Sequence, residues 1–130
     1  IEKFQAQAVE RMKETLLSRI KEVNGVNVIT TVLPIEPAAA KDLAFKLREA
    51  VPQKLVAVIG STAHNKPLLT VMLSDDMVKE HQLNAGQIIR EAAKLIQGGG
   101  GGQPHYAQAG GKNIDGMNAA VDKVIALANL

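Results

Sequence analysis

Apolar residues recur along this chain in two patterns, one with the period of a helix and one typical of strands. Over residues 1–23 they return every three or four positions with almost no helix breaker, which predicts one long amphipathic helix. The same period predicts further helices over residues 38–50, 75–81, 85–96 and 117–130, with Pro37, Ser74 and Asn84 as start signals. Runs of β-branched or apolar residues predict strands over residues 26–35, 54–60 and 68–73, and a further short strand fits residues 106–109.

The order of these elements predicts an α/β fold, a small mixed β-sheet flanked by helices. The strand over residues 54–60 is nearly all apolar, which places it near the centre of the sheet. Its short connection to the strand over residues 68–73 predicts a hairpin. The long N-terminal helix precedes this unit as a linker or coiled-coil helix. The predicted division is therefore residues 1–24 for the linker and residues 25–130 for the domain.

One apolar stripe runs along the N-terminal helix. Such a stripe packs against a partner helix, from the same chain or from a second copy, or alternatively on its own domain. Because the chain begins inside this helical pattern, we expect it to be part of a longer protein. The stripe consists of Val9, Met12, Leu16, Ile20 and Val23.

Composition narrows the classes of function. The chain of 130 residues has no cysteine, which excludes disulfides and cysteine-ligated zinc within it. Aromatic residues make up only 2%, too few for the stacked rings with which single-strand binders hold bases. The net charge of +2 permits nucleic-acid binding without arguing for it. No apolar run reaches the length of a membrane span, and we expect no membrane association.

Glycine dominates the segment Gln97–Lys112, in a run of five followed by a pair. Glycine gives access to positive φ and lets a ligand approach the backbone, so that successive N–H groups can converge on an anion such as phosphate. The alternative is a flexible linker. The predicted helices on both sides, together with Pro104 and Tyr106 as rigid anchors, favour an ordered phosphate cradle.

Positive charge is needed beside this segment, because the helix before it presents an electronegative C-terminal end. Lysine side chains, or the N-terminus of the last helix, are expected to supply it. The nearby glutamines and His105 either contact bases and phosphates or hold the segment's own backbone. The candidate nucleic-acid-binding residues are Gly98, Gly99, Gly100, Gly101, Gly102, Gln103, His105, Gln108, Gly110, Gly111, Lys112, Arg90 and Lys94.

Neither a metal site nor a catalytic group is predicted. His64, His81 and His105 show no ligand spacing with carboxylates. The pair of Ser61 and His64 is interpreted as part of a turn rather than as a hydrolase centre.

The segment GGGGGQPHYAQAGGKN resembles the C-terminal domain of bacterial alanyl-tRNA synthetases, which is a DHH-associated domain. The resemblance covers residues 25–130, and the N-terminal helix is similar to the linker that precedes this domain. Related DHH phosphoesterases place histidine directly after the glycines, whereas here Gln103 and Pro104 intervene before His105. This departure favours the synthetase branch.

The resemblance implies a module that docks the outer corner of tRNA, contributes to dimer formation through helix 1–23 and contacts other domains of the same synthetase. Aminoacylation and editing, with their ATP, magnesium and zinc, are expected in other domains of a cytoplasmic parent protein. The present chain is expected to be catalytically inert and to need no cofactor itself. Two alternatives stay open: a nucleotide-gripping accessory domain of a DHH phosphoesterase, and a purely structural dimerisation domain.

Overall fold

The structure is a computed structural model that describes residues 2–23, 25–62, 66–79 and 83–127, with only the backbone of residues 2–9 and 37. Helices and strands alternate along these ranges. The elements are α1 (Glu2–Leu17), β1 (Lys21–Val23), β2 (Val26–Leu33), α2 (Pro37–Ala50), β3 (Leu55–Ser61), β4 (Leu68–Leu73), α3 (Asp75–Lys79), α4 (Ala85–Ala93), β5 (Gly99–Gly102), β6 (Tyr106–Gly110) and α5 (Met117–Leu127), with 3₁₀ turns at Lys94–Ile96 and Ile114–Gly116.

The strands of the described residues form one mixed sheet of six strands in the order β1-β2-β3-β4-β6-β5. Strands β2 and β3 are parallel and are connected through α2, while every other neighbouring pair is antiparallel. Strand β3 lies inside the sheet and is buried along its whole length. The predicted α/β fold with a mixed sheet, the central strand and the β3–β4 hairpin are thus confirmed.

Helices cover both faces of the sheet. On one face α2 buries Leu43 and Leu47 against Ile29, Ile59 and Met72. On the other face α4 and α5 cover the opposite side chains of β3 and β4. This second cluster includes Val56, Val58, Leu69, Val71, Ile89, Ile96 and Val124. The molecule therefore has three layers, which is the arrangement that buries both faces of a sheet containing parallel strands.

The predicted helix over residues 1–23 is wrong over its last six residues. Helix α1 ends at Leu17, and Lys21–Val23 form β1, which pairs with β2 in the register Val23↔Val26. Gly25 in the turn has a φ of 81°, a conformation that glycine adopts without steric cost. The turn after Leu17 thus interrupts a helical period that the sequence continues. Asn24, the residue before Gly25, lies outside the described residues.

The described part of the apolar stripe packs on its own domain. Leu16 is buried in the cluster of α2, with Met12 and Ile20 packed against it. The Glu10 carboxylate also accepts a hydrogen bond from the Lys46 ammonium of α2 at 2.7 Å. Hydrogen bonds from Lys46 and Lys13 lower the pKa of Glu10. Helix α1 is therefore docked against α2 along its second half, whereas the side chain of Val9 lies outside the described residues.

The remaining element predictions are largely confirmed. Pro37 begins α2, and the Asn84 side chain accepts a hydrogen bond from the Gln87 N–H at 3.2 Å to cap α4. The last turn of the predicted helix over residues 85–96 is a 3₁₀ turn. The ends of the short helix near His81 and of the last helix near residue 130 lie outside the described ranges. Within those ranges, no helix has the length and apolarity needed to cross a membrane.

Candidate nucleic-acid interface

The glycine run is a β-strand, not the predicted loop. Gly99–Gly102 form β5 at the edge of the sheet and pair antiparallel with β6 in the register Gly99↔Gly110 to Gly102↔Ala107. Among the described glycines only Gly25 has a positive φ. The expected nest built on positive φ is therefore wrong, because an extended strand points its N–H groups alternately to opposite sides.

Absence of a Cβ is what the alternate glycines contribute. A Cβ at Gly100 would overlap the carbonyl oxygen of Gln108, and one at Gly102 would lie 2.5 Å from the carbonyl oxygen of Tyr106. A Cβ at Gly99, by contrast, would meet nothing within 4 Å. Every second glycine thus allows β5 to lie closer to β6 than any other residue would permit.

The turn between β5 and β6 is held by backbone hydrogen bonds. The N–H of Gln103 donates to the Tyr106 carbonyl at 2.8 Å, and the Tyr106 N–H donates back at 3.3 Å. The Pro104 carbonyl accepts from the Ala85 N–H at the start of α4, and the His105 carbonyl accepts from the Leu73 N–H, each at 2.8 Å. The structure thus gives this turn a clear structural role.

A cleft of about 740 Å³ opens at the opposite end of the hairpin. It lies beside a row of cross-strand partners, Leu33, Ser61, Leu68, Gly110 and Gly99. Because β2 and β3 are parallel and end at Leu33 and Ser61, the cleft lies at their carboxyl ends, where α/β sheets commonly bind ligands. It is lined by Ile35, Glu36, Ser61, Lys66, Pro67, Leu68, Gln97, Gly98, Gly99, Gly110, Gly111 and Lys112.

The glycine pair fixes one wall of this cleft. The Gly111 N–H donates to the Pro67 carbonyl at 3.0 Å, and the Lys112 N–H donates to the Ile96 carbonyl at 2.8 Å. A Cβ at Gly111 would overlap that same Ile96 carbonyl oxygen. The close packing of Gly111 on the end of the 3₁₀ turn therefore holds Lys112 at the rim of the cleft.

Charge at the cleft is mixed with a positive excess. Lys66 and Lys112 are exposed at its rim, and Glu36 is the acidic side chain in its lining. Helix α2 begins directly after Glu36, so the positive end of its dipole also lies at this edge. The arrangement suits an anionic group at the rim, with apolar contacts from Ile35, Pro67 and Leu68 below it.

The structure separates the predicted site residues. Gly98, Gly99, Gly110, Gly111 and Lys112 line the cleft. The tip residues Gln103 and His105 are about 13 Å away along the strand, judging from a rise of about 3.3 Å per residue. The remaining predicted residues that do not line the cleft are Gly100, Gly101, Gly102, Gln108, Arg90 and Lys94.

Three of these side chains make contacts away from the cleft. Gln108 Nε2 donates to Thr70 Oγ1 at 3.2 Å, which ties β6 to β4. Lys94 pairs with Glu91 at 3.2 Å on the exposed side of α4. Arg90 lines a separate hollow of about 430 Å³ beside Asn84 and Gln87.

Sequence reasoning missed Ile35, Glu36, Ser61, Lys66, Pro67, Leu68 and Gln97 as cleft residues. A usable signal was present, because predicted strands ended near residues 35 and 60, and the carboxyl ends of parallel strands meet at one edge. Among the described residues, no group of three or more histidine, aspartate or glutamate side chains could hold a metal ion. His64 and His81 lie outside those residues.

The glycine-rich hairpin and the cleft belong to a region that a known domain family matches. The profile of the DHHA1 domain covers residues 25–129. The chain belongs to the DHHA1 domain family. The DHHA1 domain described here is similar to the alanine–tRNA ligase of Bacteroides fragilis, with 50% identity over 100% of this chain and 15% of that protein. The corresponding ligase of Bacteroides thetaiotaomicron is 48% identical over the same shares.

A solved structure agrees with these relatives. The C-Ala domain of the Aquifex aeolicus alanyl-tRNA synthetase matches with a TM-score of 0.75 and 29% identity, over 85% of this chain and 98% of that one. The resemblance drawn from the glycine segment is thereby confirmed. The DHHA1 domain spans about 15% of the length of the curated relatives it matches.

Proposed function

We propose that this DHHA1 domain is the tRNA-docking module of an alanyl-tRNA synthetase. The observation that carries the proposal is its similarity in sequence and fold to the Aquifex aeolicus C-Ala domain. The cleft supports it, because two exposed lysines at its rim suit the sugar–phosphate backbone.

The mode of binding follows from the distribution of charge. Lys66 and Lys112 neutralise phosphates and release condensed counterions, so that affinity falls as salt rises. The side-chain-free wall made by Gly98, Gly99 and Gly110 lets a backbone approach the sheet edge closely. Lysines position the RNA in this scheme, and sequence is not read at the rim.

Filter binding of a tRNA transcript over a series of salt concentrations tests the proposal. We expect binding that weakens steeply with salt, and we expect Lys112→Ala to reduce the log–log salt slope by about one phosphate contact. Lys123→Ala is the control, because Lys123 is an exposed residue of α5 that does not line the cleft. Absence of salt-dependent tRNA binding by the unaltered chain would refute the proposal.

Aminoacylation and editing are expected in other domains of the longer parent protein. We assign ATP, magnesium and zinc, which aminoacylation and editing require, to other domains of a cytoplasmic synthetase. Besides tRNA, those domains are the second kind of partner that we propose for this chain. A zinc site in particular is expected elsewhere, because the chain has no cysteine and the described residues include no group of three or more histidine, aspartate or glutamate side chains that could hold a metal ion.

Homodimerisation through residues 1–23 is a separate proposal. The stripe on that segment supports it, although Leu16 is already buried on α2 of the same chain. A dimer contact would therefore use side chains of residues 1–23 that are not packed on α2. Sedimentation of the chain with and without residues 1–17 tests this, and an unchanged number of subunits would refute it.

A further inference from the structure

Ser61 is the one buried cleft side chain whose polar atom has no hydrogen-bond partner among the described residues. It is the last residue of β3 and is 1% exposed. Its neighbour is fixed, since the Thr62 N–H donates to the Leu33 carbonyl at 3.0 Å. The Ser61 hydroxyl itself, however, neither donates to nor accepts from any described group. A buried hydroxyl without a hydrogen-bond partner lowers the stability of the folded protein unless a ligand or an ordered water supplies the partner.

Ser74 shows how this fold treats a buried serine that has a structural role. It is fully buried at the other end of the β3–β4 hairpin. Its hydroxyl accepts a hydrogen bond from the Leu55 N–H at 2.9 Å and donates one to the Asp76 carboxylate. Both serines are thus almost completely buried, but the Ser74 hydroxyl is hydrogen-bonded, whereas the Ser61 hydroxyl has no partner among the described residues and Ser61 lines the cleft.

The cleft around Ser61 has the size and chemistry of a nucleotide site. Its volume of about 740 Å³ lies within the range of small-ligand pockets. Ile35, Pro67 and Leu68 offer apolar contact for a base or a sugar face, while Lys66 stands exposed at the rim. A charged phosphate would remain at that solvated rim, so the uncharged part of a ligand is the part that would approach the buried Ser61 hydroxyl.

We infer that the cleft receives one nucleotide of an unpaired RNA segment, with Ser61 bonded to the polar edge of the inserted nucleoside and Lys66 and Lys112 on its phosphate. The inference rests on the proposed tRNA-binding function and deepens it. A duplex does not fit, because its bases are stacked and paired and cannot enter a concave site singly. A hydroxyl both donates and accepts, so Ser61 can complete either kind of polar edge.

The test compares Ser61→Ala with Ser74→Ala in two measurements, thermal unfolding and RNA affinity. Because the Ser61 hydroxyl has no partner among the residues that the structure describes, Ser61→Ala should leave Tm unchanged or raised and weaken tRNA binding about tenfold. Ser74→Ala should lower Tm and leave the dissociation constant for tRNA unchanged. Lys66→Ala should weaken binding and flatten the salt dependence without lowering Tm.

A second arm uses a ten-nucleotide unpaired RNA and a blunt RNA duplex of the same length. We expect the single strand to bind more tightly than the duplex, and Ser61→Ala to remove that preference. If Ser61→Ala binds tRNA and the single strand as the unaltered protein does, or lowers Tm as Ser74→Ala does, the inference is overturned while tRNA docking stands. If the unaltered protein binds no tRNA, the proposed function itself fails.

Discussion

The serine hydroxyls at the two ends of the β3–β4 hairpin differ in their hydrogen bonding. At the end near Ser74, the Asp76 carboxylate accepts hydrogen bonds from the Lys54 N–H at 2.8 and 3.0 Å and from the Ser74 hydroxyl. At the end near Ser61, a buried hydroxyl has no partner among the described residues, and two lysines stand exposed beside a cleft.

This difference distinguishes the end of the sheet that stabilises the fold from the end at which ligand binding is expected. A completed hydrogen-bond network stabilises the fold and leaves none of its buried polar atoms without a partner. An incomplete one costs stability, and in a native protein such a cost points to a ligand or an ordered water. The polar end near Ser74 therefore holds the hairpin, and the end near Ser61 is where RNA binding is expected.

The largest effect, a loss of stability, is expected from a substitution in β5 at the edge of the sheet. Gly100→Ala places a Cβ inside the Gln108 carbonyl oxygen, so β5 must move away from β6, at a cost of about 2–3 kcal/mol. Gly99→Ala is the matched control, because its Cβ meets nothing within 4 Å. Chemical denaturation measures both, and equal stabilities would contradict the close-approach role given to Gly100.

The second largest effect, also on stability, is expected at Asp76, which lies at the end of the hairpin near Ser74. Burial is the largest single influence and acts to raise its pKa, but hydrogen bonds from the Ser74 hydroxyl and from the backbone N–H groups of Lys54, Asp76 and Met77 together outweigh burial, so the pKa is lowered from its ordinary value of 3.8. Because the folded pKa is the lower one, the stabilisation is present above pH 3.8 and is lost as the pH falls through the folded value.

Replacing the Asp76 carboxylate tests the sign of this dependence of stability on pH. Asp76→Asn should cost about 1 kcal/mol at neutral pH, a modest value because the side chain is partly exposed. The difference from the unaltered protein should shrink as the pH falls below about 4. A pH-independent difference in Tm would show that the charge of Asp76 does not stabilise the turn at Lys54, whose φ is 51°.

A smaller effect, on tRNA affinity, is expected to distinguish a lysine that lines the cleft from one that does not. Lys66→Ala should weaken tRNA binding about threefold, while Lys94→Ala should change it little, because Lys94 pairs with Glu91 away from the cleft. Titration at a single low salt concentration measures both. Loss of affinity confined to Lys94→Ala would move the RNA to the exposed side of α4.

The smallest effect is expected away from both ends, at the contact between α1 and α2. Glu10→Gln removes an exposed ion pair with Lys46, and such pairs contribute little. Its change in Tm should be smaller than that of any substitution above, with tRNA affinity unchanged. A large loss of stability would show that docking of α1 depends on this pair.

Much of the fold could be predicted from local patterns, and the failures have physical causes. Strands such as Leu68–Leu73 carry their own apolar pattern, and Asn84 carries its own capping chemistry. The strand at Gly99–Gly102 has no side chains and hence no pattern, so that only its pairing with β6 makes it a strand. Similarly, the short strand Lys21–Val23 continues a helical period until Gly25 turns the chain.

The candidate site was predictable only in part. The glycine pair and Lys112 are contiguous in sequence, and their association with the site could be inferred from composition. Ser61 and Lys66 come to the same cleft through the register Ser61↔Leu68↔Gly110, which depends on strand pairing across some 50 residues. That the glycine run spans a strand, and so separates the hairpin tip from the cleft, also becomes visible only once β5 pairs with β6.

Amide chemical-shift mapping of the ¹⁵N-labelled chain during titration with a tRNA transcript tests the central claim most directly. We expect shifts of the amide signals of residues 61, 62, 66, 68, 97–99 and 110–113, which surround the cleft, with those of residues 74–76, 103 and 105 unaffected. Shifts concentrated at residues 103 and 105, with the cleft amides unmoved, would contradict RNA binding at the cleft.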